Sequence, residues 1–123
     1  MARLRDSTFS NTQARQQIMR QRVWKVRDQA RAADAALRKA HKAPPAEALR
    51  QLVGFNSAHA AIEELIFELC GAAILGGMTA QQVSEATGIP AATLARRVPK
   101  QLTDLRGRHV TKDPSAAFGW REQ

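Results

Sequence analysis

Twenty residues in the last third of the chain spell out two short helices and the turn between them: Thr79-Ala80-Gln81-Gln82-Val83-Ser84-Glu85-Ala86-Thr87-Gly88-Ile89-Pro90-Ala91-Ala92-Thr93-Leu94-Ala95-Arg96-Arg97-Val98. Thr79 and Gln82 have the spacing of a capping box, a hydroxyl at the cap and an amide three residues on, so a helix starts here. Val83-Ser84-Glu85-Ala86 continues it, with Val83 turned inward. Thr87-Gly88-Ile89 is the turn, and Gly88 supplies the positive φ that a tight helix-to-helix reversal requires. Pro90 opens the second helix at the position where a missing N–H does least harm. Leu94 and Val98, four residues apart, form its buried side. Pro99 ends it, because a residue before proline is disfavoured in the helical region. With Leu94 facing in, Arg96 falls about 200° round the helix, beside Ala92 and flanked by Ala91 and Ala95.

This segment resembles the helix-turn-helix of bacterial repressors, sigma-factor-like regulators and serine-recombinase DNA-binding domains. The resemblance rests on Val83, Ser84, Gly88, Ile89, the Thr93-Leu94 pair and the Arg96-Arg97 pair. It covers about twenty of the 123 residues and selects no subfamily. Thr87 departs from the pattern, since an apolar residue normally precedes that glycine. The resemblance implies that the second helix enters the major groove of DNA. The candidate DNA-binding residues are then Thr79 and Gln81, with Pro90, Ala91, Ala92, Thr93, Ala95 and Arg96 on the slim second helix. Arg96 is placed for the bidentate contact that arginine makes to guanine, and Arg97 and Lys100 for phosphates. Arg106-Gly107-Arg108 reads two ways. It is either a minor-groove arm, to which Arg106 and Arg108 contribute, or a glycine helix stop with basic neighbours. Between these segments, Leu102 and Leu105 line one side of a further short helix, placed to clamp the pair from behind.

Upstream, no Pro or Gly interrupts Asn11 to Lys42. Ser10 or Asn11 can cap a helix of about 32 residues there. Met19, Val23, Val26, Ala30, Ala33, Leu37 and Ala40 alternate at spacings of four and three, a heptad seam of the coiled-coil kind. A seam so rich in alanine needs a partner helix, in a homodimer or in a bundle. Pro44-Pro45 ends the helix. Pro45 then opens a short one, with Leu49, Leu52 and Val53 on its apolar side and Gly54 as its stop. A third helix follows Asn56 or Ser57. Its broad face is Ala58, Ala61, Ile62, Leu65, Ile66, Leu69, Ala72 and Ala73, with Phe67 and Ile74 outside that face. Gly71 is placed for a close helix approach, and Gly76-Gly77 terminates the helix. Beyond Gly107 no periodicity remains, and a loosely ordered basic tail is expected apart from Phe118 and Trp120.

The charge is sorted along the chain. Residues 1–50 hold twelve Lys/Arg and four acids, 51–88 hold four acids and no base, and 89–123 hold seven bases and three acids. The acidic block coincides with the expected core, and the basic blocks flank it, as in a protein that meets a polyanion. Trp24 lies outside the seam among Arg22, Lys25 and Arg27. It can rest on a membrane interface, stack on nucleic acid or pack into the domain, and packing is the preferred reading.

No apolar run follows Met1-Ala2-Arg3-Leu4-Arg5, so no signal peptide is expected. The most apolar stretch, Leu65 to Met78, falls short of the roughly 20 residues of a membrane span. Cys70 alone forms no intrachain disulfide and reads as a small core residue in a reduced compartment. His41, His59 and His109 are scattered without metal-ligand spacing, and Glu63, Glu64 and Glu68 read as a solvated edge. Neither a phosphate-binding glycine loop nor a nucleophile elbow is present, so no enzyme, metal or cofactor is expected.

The expected protein is all-α. A long basic helix spans 1–43 for dimerisation or bundle packing, a helix-turn-helix domain spans 44–106, and a tail spans 107–123. The function that follows is sequence-selective binding of double-stranded DNA as a homodimeric transcriptional regulator, cytoplasmic and nucleoid-associated, of bacterial or phage origin. The rivals are a phage or plasmid accessory factor for packaging, partition or recombination, and a helical adaptor for an acidic partner or membrane surface.

Overall fold

The computed structural model describes residues 5–123, so the first four residues of the segment read above for a leader lie outside the described residues. The described chain is all-α: α1 (Phe9–His41), α2 (Pro45–Leu75), α3 (Ala80–Thr87), α4 (Ala91–Arg97) and α5 (Lys100–Thr103), followed by two three-residue strands, β1 (Val110–Lys112) and β2 (Trp120–Glu122). It divides into two compact units. One comprises residues 5–21 with Phe67–Gln123, the other Arg22–Ile66. Both long helices run through both units.

α1 begins two to three residues earlier than its sequence suggests. The Thr8 hydroxyl accepts from Asn11 N (3.1 Å), and Asn11 Oδ1 accepts from Thr8 N (3.0 Å), a reciprocal cap with asparagine in the place of the usual Glu or Gln. Asn11 is thus the third residue of the helix and not its cap. Its side chain is fully buried, and its remaining capacity goes to the far end of the chain. Oδ1 also accepts from Gly107 N (2.8 Å), while Nδ2 donates to Leu105 O (3.2 Å) and Arg108 O (2.9 Å). All four hydrogen-bonding positions of the amide are filled.

The buried and half-buried side of α1 is not the heptad seam. It runs Asn11, Ala14, Ile18, Arg22, Val26, Gln29, Ala33, Ala36 and Ala40, a period near that of a straight helix. A strict seven-residue repeat drifts round such a helix by about 20° per heptad. Hence Val26, Ala33 and Ala40 of the expected seam face inward and Met19 packs half-buried against the core, whereas Val23, Ala30 and Leu37 are exposed. Trp24 is 53% exposed and carries the Arg27 guanidinium 4.7 Å from its ring centroid, so the preferred packing into a core is corrected.

Gly54 does not stop a helix. α2 passes straight through it, because the Ala36 side chain lies against it (3.8 Å from where a Cβ would sit), and tertiary packing outweighs the ~1 kcal/mol propensity cost of glycine. Ser57, expected to cap a new helix, instead donates its hydroxyl back to Val53 O (3.2 Å). The unit Arg22–Ile66 is therefore one αα-hairpin, reversed at residues 42–44.

In the other unit, the last turns of α2 are apolar all round and bury two opposed sides. Ala72 and Leu75 pack with Ala14 and Ile18 of α1, Leu102 of α5, and Val110 and Trp120 of the strands. Phe67, Cys70, Ala73 and Ile74 pack with Val83, Leu94 and Val98. Phe67 and Ile74 are thus core residues, while Ile66, expected on the buried face, is 37% exposed. Gly71 admits Leu102 and Val98, whose side-chain atoms lie 3.1 and 3.2 Å from where a Cβ would stand, so the expected close approach is present.

The tail is ordered, which corrects the expectation of a loose one. β1 and β2 pair antiparallel with Thr111 opposite Arg121, and Val110 and Trp120 are both buried. Asp113, at the turn, accepts from Ser115 N and Oγ, and Arg121 lies beside it (3.5 Å). Those bonds hold its carboxyl below the usual range, the Ser115 side chain contributing most. Leu102 and Leu105 face the same cluster as Trp120, so α5 does not clamp the α3–α4 pair directly.

Replacing Asn11 by Ala strands the Thr8 and Gly107 N–H groups and removes one of the two donors to each of the Leu105 and Arg108 carbonyls, and should lower unfolding stability by roughly 3 kcal/mol. Urea denaturation reads this. A loss below about 0.5 kcal/mol, the range of ordinary surface substitutions, would contradict the role given to its amide.

Candidate nucleic-acid interface

The α3–α4 pair has the local chemistry expected of it. Thr79 Oγ1 accepts from Gln82 N (3.1 Å), and Gln82 Oε1 accepts from Thr79 N (2.9 Å), closing the capping box. Gly88 sits at φ 76° and donates its N–H to Ser84 O (2.8 Å). Nothing lies within 4 Å of where a Cβ would be, so glycine is required there by conformation and not by crowding. Thr87, the departure from the usual pattern, donates its hydroxyl to Val83 O (2.8 Å) and accepts from Ile89 N (3.1 Å). Hydrogen bonds at the turn thus stand in for an apolar contact. Pro90 precedes α4 at φ −57°, and its carbonyl accepts from Thr93 and Leu94 N.

Val83 and Leu94 are 2% and 1% exposed, so the pair is seated by its inner side on Phe67, Cys70 and Ile74. Burial pushes the Cys70 thiol up from its ordinary value, which suits a packing residue and not a nucleophile. The outer side is open. Gln81, Pro90, Ala91, Ala92, Ala95, Arg96, Arg97 and Lys100 are exposed, and Thr79 and Thr93 are half-buried.

The charged candidates separate by what already holds them. Arg96 and Lys100 make no ion pair with any described residue. Arg97 lies over Phe67, its guanidinium carbon 4.4 Å from the ring centroid, and so helps hold α4 to α2. Gln81 donates to Glu85 (3.2 Å) on the same helix. Arg108 donates to Asp104 O and pairs with Glu122 (3.0 Å).

Arg106 is turned inward and only 9% exposed. Its Nε donates to Arg5 O (2.7 Å), and Nη1 donates to Ile74 O (3.0 Å) and Met78 O (2.6 Å). It neutralises the carbonyl end of α2, where a cation is favoured by the helix dipole. It is therefore not exposed as a groove-reading arm would be, and neither of its sequence readings foresaw this contact.

Another feature escaped the sequence reading. An open cleft of about 610 Å³ is lined by Gln13, Gln16, Gln17, Arg20 and Gln21 of α1 with Lys112 and Trp120, and has no carboxylate in its lining. The run of glutamines at helical spacing was its signal. Among the described residues no group of three or more His, Cys, Asp or Glu side chains is placed to hold a metal ion, and no helix is long and apolar enough to cross a membrane. The chain matches no protein-family model, no curated protein and no solved structure.

Two substitutions check these placements. Leu94→Asp puts an unpaired charge where α3, α4 and α2 meet, and should abolish cooperative melting of this unit; an unaltered melting temperature would contradict the packing. Arg106→Gln should cost roughly 3 kcal/mol of stability, since it strands carbonyls that a charged donor now satisfies. Loss of DNA affinity at unchanged stability would instead return Arg106 to a surface role.

Proposed function

We propose that the chain binds double-stranded DNA with sequence selectivity, as a homodimer, and acts as a transcriptional regulator without catalysis. One observation carries the reading. α4 is seated by Leu94 and Val98, and its opposite side presents Ala92 and Arg96, with Ala91 and Ala95 at the flanks and Lys100 just beyond. Small residues let a helix lie deep in the major groove, which is about 12 Å wide, and leave one long side chain to reach the base edges. Arg96 is that side chain, and guanine is the base whose O6 and N7 suit its two parallel donors. Lys100 meets phosphate, while the Arg97 guanidinium remains packed on Phe67 at the edge of the interface. Arg106 is left out of the interface.

Dimerisation belongs to this reading because α4 has only seven residues. A helix about 10 Å long reads few bases. Two copies double the contacts and join half-sites one helical turn or a multiple apart. A phage or plasmid accessory factor would use the same DNA face. The adaptor reading predicts no duplex binding at all.

The test compares variants on duplex DNA across a salt series. Arg96→Ala should weaken specific binding by about 1–3 kcal/mol and relax one base position in each half-site. Lys100→Ala should weaken binding to every sequence and reduce the slope of log affinity against log salt by about one. An unchanged base preference in Arg96→Ala sinks the assignment of the reading face.

A further inference from the structure

The hairpin unit Arg22–Ile66 leaves two rows of residues uncovered, each spaced by seven: Val23, Ala30 and Leu37 on α1, and Leu52, His59 and Ile66 on α2. The large apolar members are 48%, 43%, 39% and 37% exposed (Val23, Leu37, Leu52 and Ile66), and Ala30 and His59 are exposed as well. The inward sides of the two helices repeat one pattern. Arg22, Val26, Gln29, Ala33 and Ala36 on α1 correspond to Gln51, Phe55, Ala58, Ile62 and Leu65 on α2, each set buried or half-buried. At about 100° per residue, each uncovered row lies about 80° round its helix from the inward side, in the same rotational sense. On antiparallel neighbours the same sense leads to the same side of the pair. Gly54 lies against Ala36. From that contact, equal rises bring Leu37 and Leu52, Ala30 and His59, and Val23 and Ile66 each to within one residue, about 1.5 Å, of level. The two rows therefore make one face of three layers.

A face with two inward directions roughly 90° apart on each helix is half of a four-helix bundle. We infer that a second copy of this hairpin covers it, α1 of each chain lying on α2 of the other. Charge selects both the occupant and the arrangement. Residues 22–42 carry seven Lys/Arg and two Asp, whereas residues 45–66 carry one Arg and three Glu. α1 against α1 sets like charges together, while α1 against α2 of the second copy sets opposite ones. That arrangement also brings Arg27 level with Glu63 of the second copy. The middle layer holds two alanines and two histidines, and the small Ala30 leaves room for the imidazole, which already stacks on Phe55 (centroids 6.1 Å apart). Leu49 and Val53 point away from α1 and take no part. This interface deepens the dimeric half of the proposed function and needs nothing from the DNA half.

The experiment uses the full chain in light scattering, with Leu37→Glu/Leu52→Glu as the variant. Both positions are solvent-exposed in the single chain, so helicity should be retained while the dissociation constant rises by roughly 100-fold. Disulfide trapping fixes the arrangement. An Ala30→Cys chain mixed with a His59→Cys chain should give the crosslinked heterodimer in preference to either homodimer. A monomeric full chain at tens of micromolar overturns the proposal, as does a dimer untouched by the double variant, and a dominant Ala30→Cys homodimer overturns the arrangement. Duplex binding by a monomer with Arg96-dependent base preference would leave the DNA reading standing without this interface. Dimerisation without duplex binding would do the reverse.

Discussion

Arg106 donates from a nearly buried guanidinium to carbonyls from two separate parts of the chain: Arg5 before α1, and Ile74 in the last turn of α2 with Met78 just after it. A helix that ends inside a protein leaves its last carbonyls without intrahelical partners, and α2 ends against the chain segment that leads into α3. The chain itself supplies donors to Ala72 O, Ala73 O and Ile74 O, and the cation adds a second donor to Ile74 O and holds Met78 O beyond the helix, which fixes the path from Leu75 to Thr79 and so where α3 begins. The fully bonded amide of Asn11 does a similar task on the other side, holding the start of α1 to the loop from Leu105 to Arg108. Two polar side chains, both shielded from water, thus tie together segments about a hundred residues apart.

Everything attributed to α4 follows from that anchorage. The α3–α4 pair has fifteen helical residues and only two of them are buried, too few to hold an angle in water. Its rigidity comes from the seat that Phe67, Cys70, Ala73 and Ile74 provide. The last turns of α2 lie between the α3–α4 pair on one side and the Trp120 cluster on the other, which makes the C-terminal strands part of the scaffold. A recognition surface built on packed helices keeps its side chains in register better than one on a mobile loop.

What was legible in the sequence had local causes. The capping box at Thr79, the left-handed Gly88 and the inward Leu94 each depend on neighbours within a few residues, and each is where it was expected. The errors lie where distant contacts decide. Gly54 stays helical because Ala36 reaches it. Arg22 is buried because the inward stripe follows the helix period and not the apolar heptad. Trp120 and Val110 become core only once α1 and α5 are beside them, which no local pattern announces. Arg106 looked like a surface cation because its partners are carbonyls, which carry no sequence signature. The reading that Arg96 and Lys100 face a partner survives the structure only as a placement: both are exposed and unpaired.

The central claim is that this placement reads DNA, and selection from a random duplex library tests it most directly. The account predicts enrichment of a motif made of two inverted half-sites, their centres one helical turn of about 10 base pairs, or a multiple of it, apart. A selected pool indistinguishable from the starting library, under salt conditions where the folded protein is stable, would contradict it.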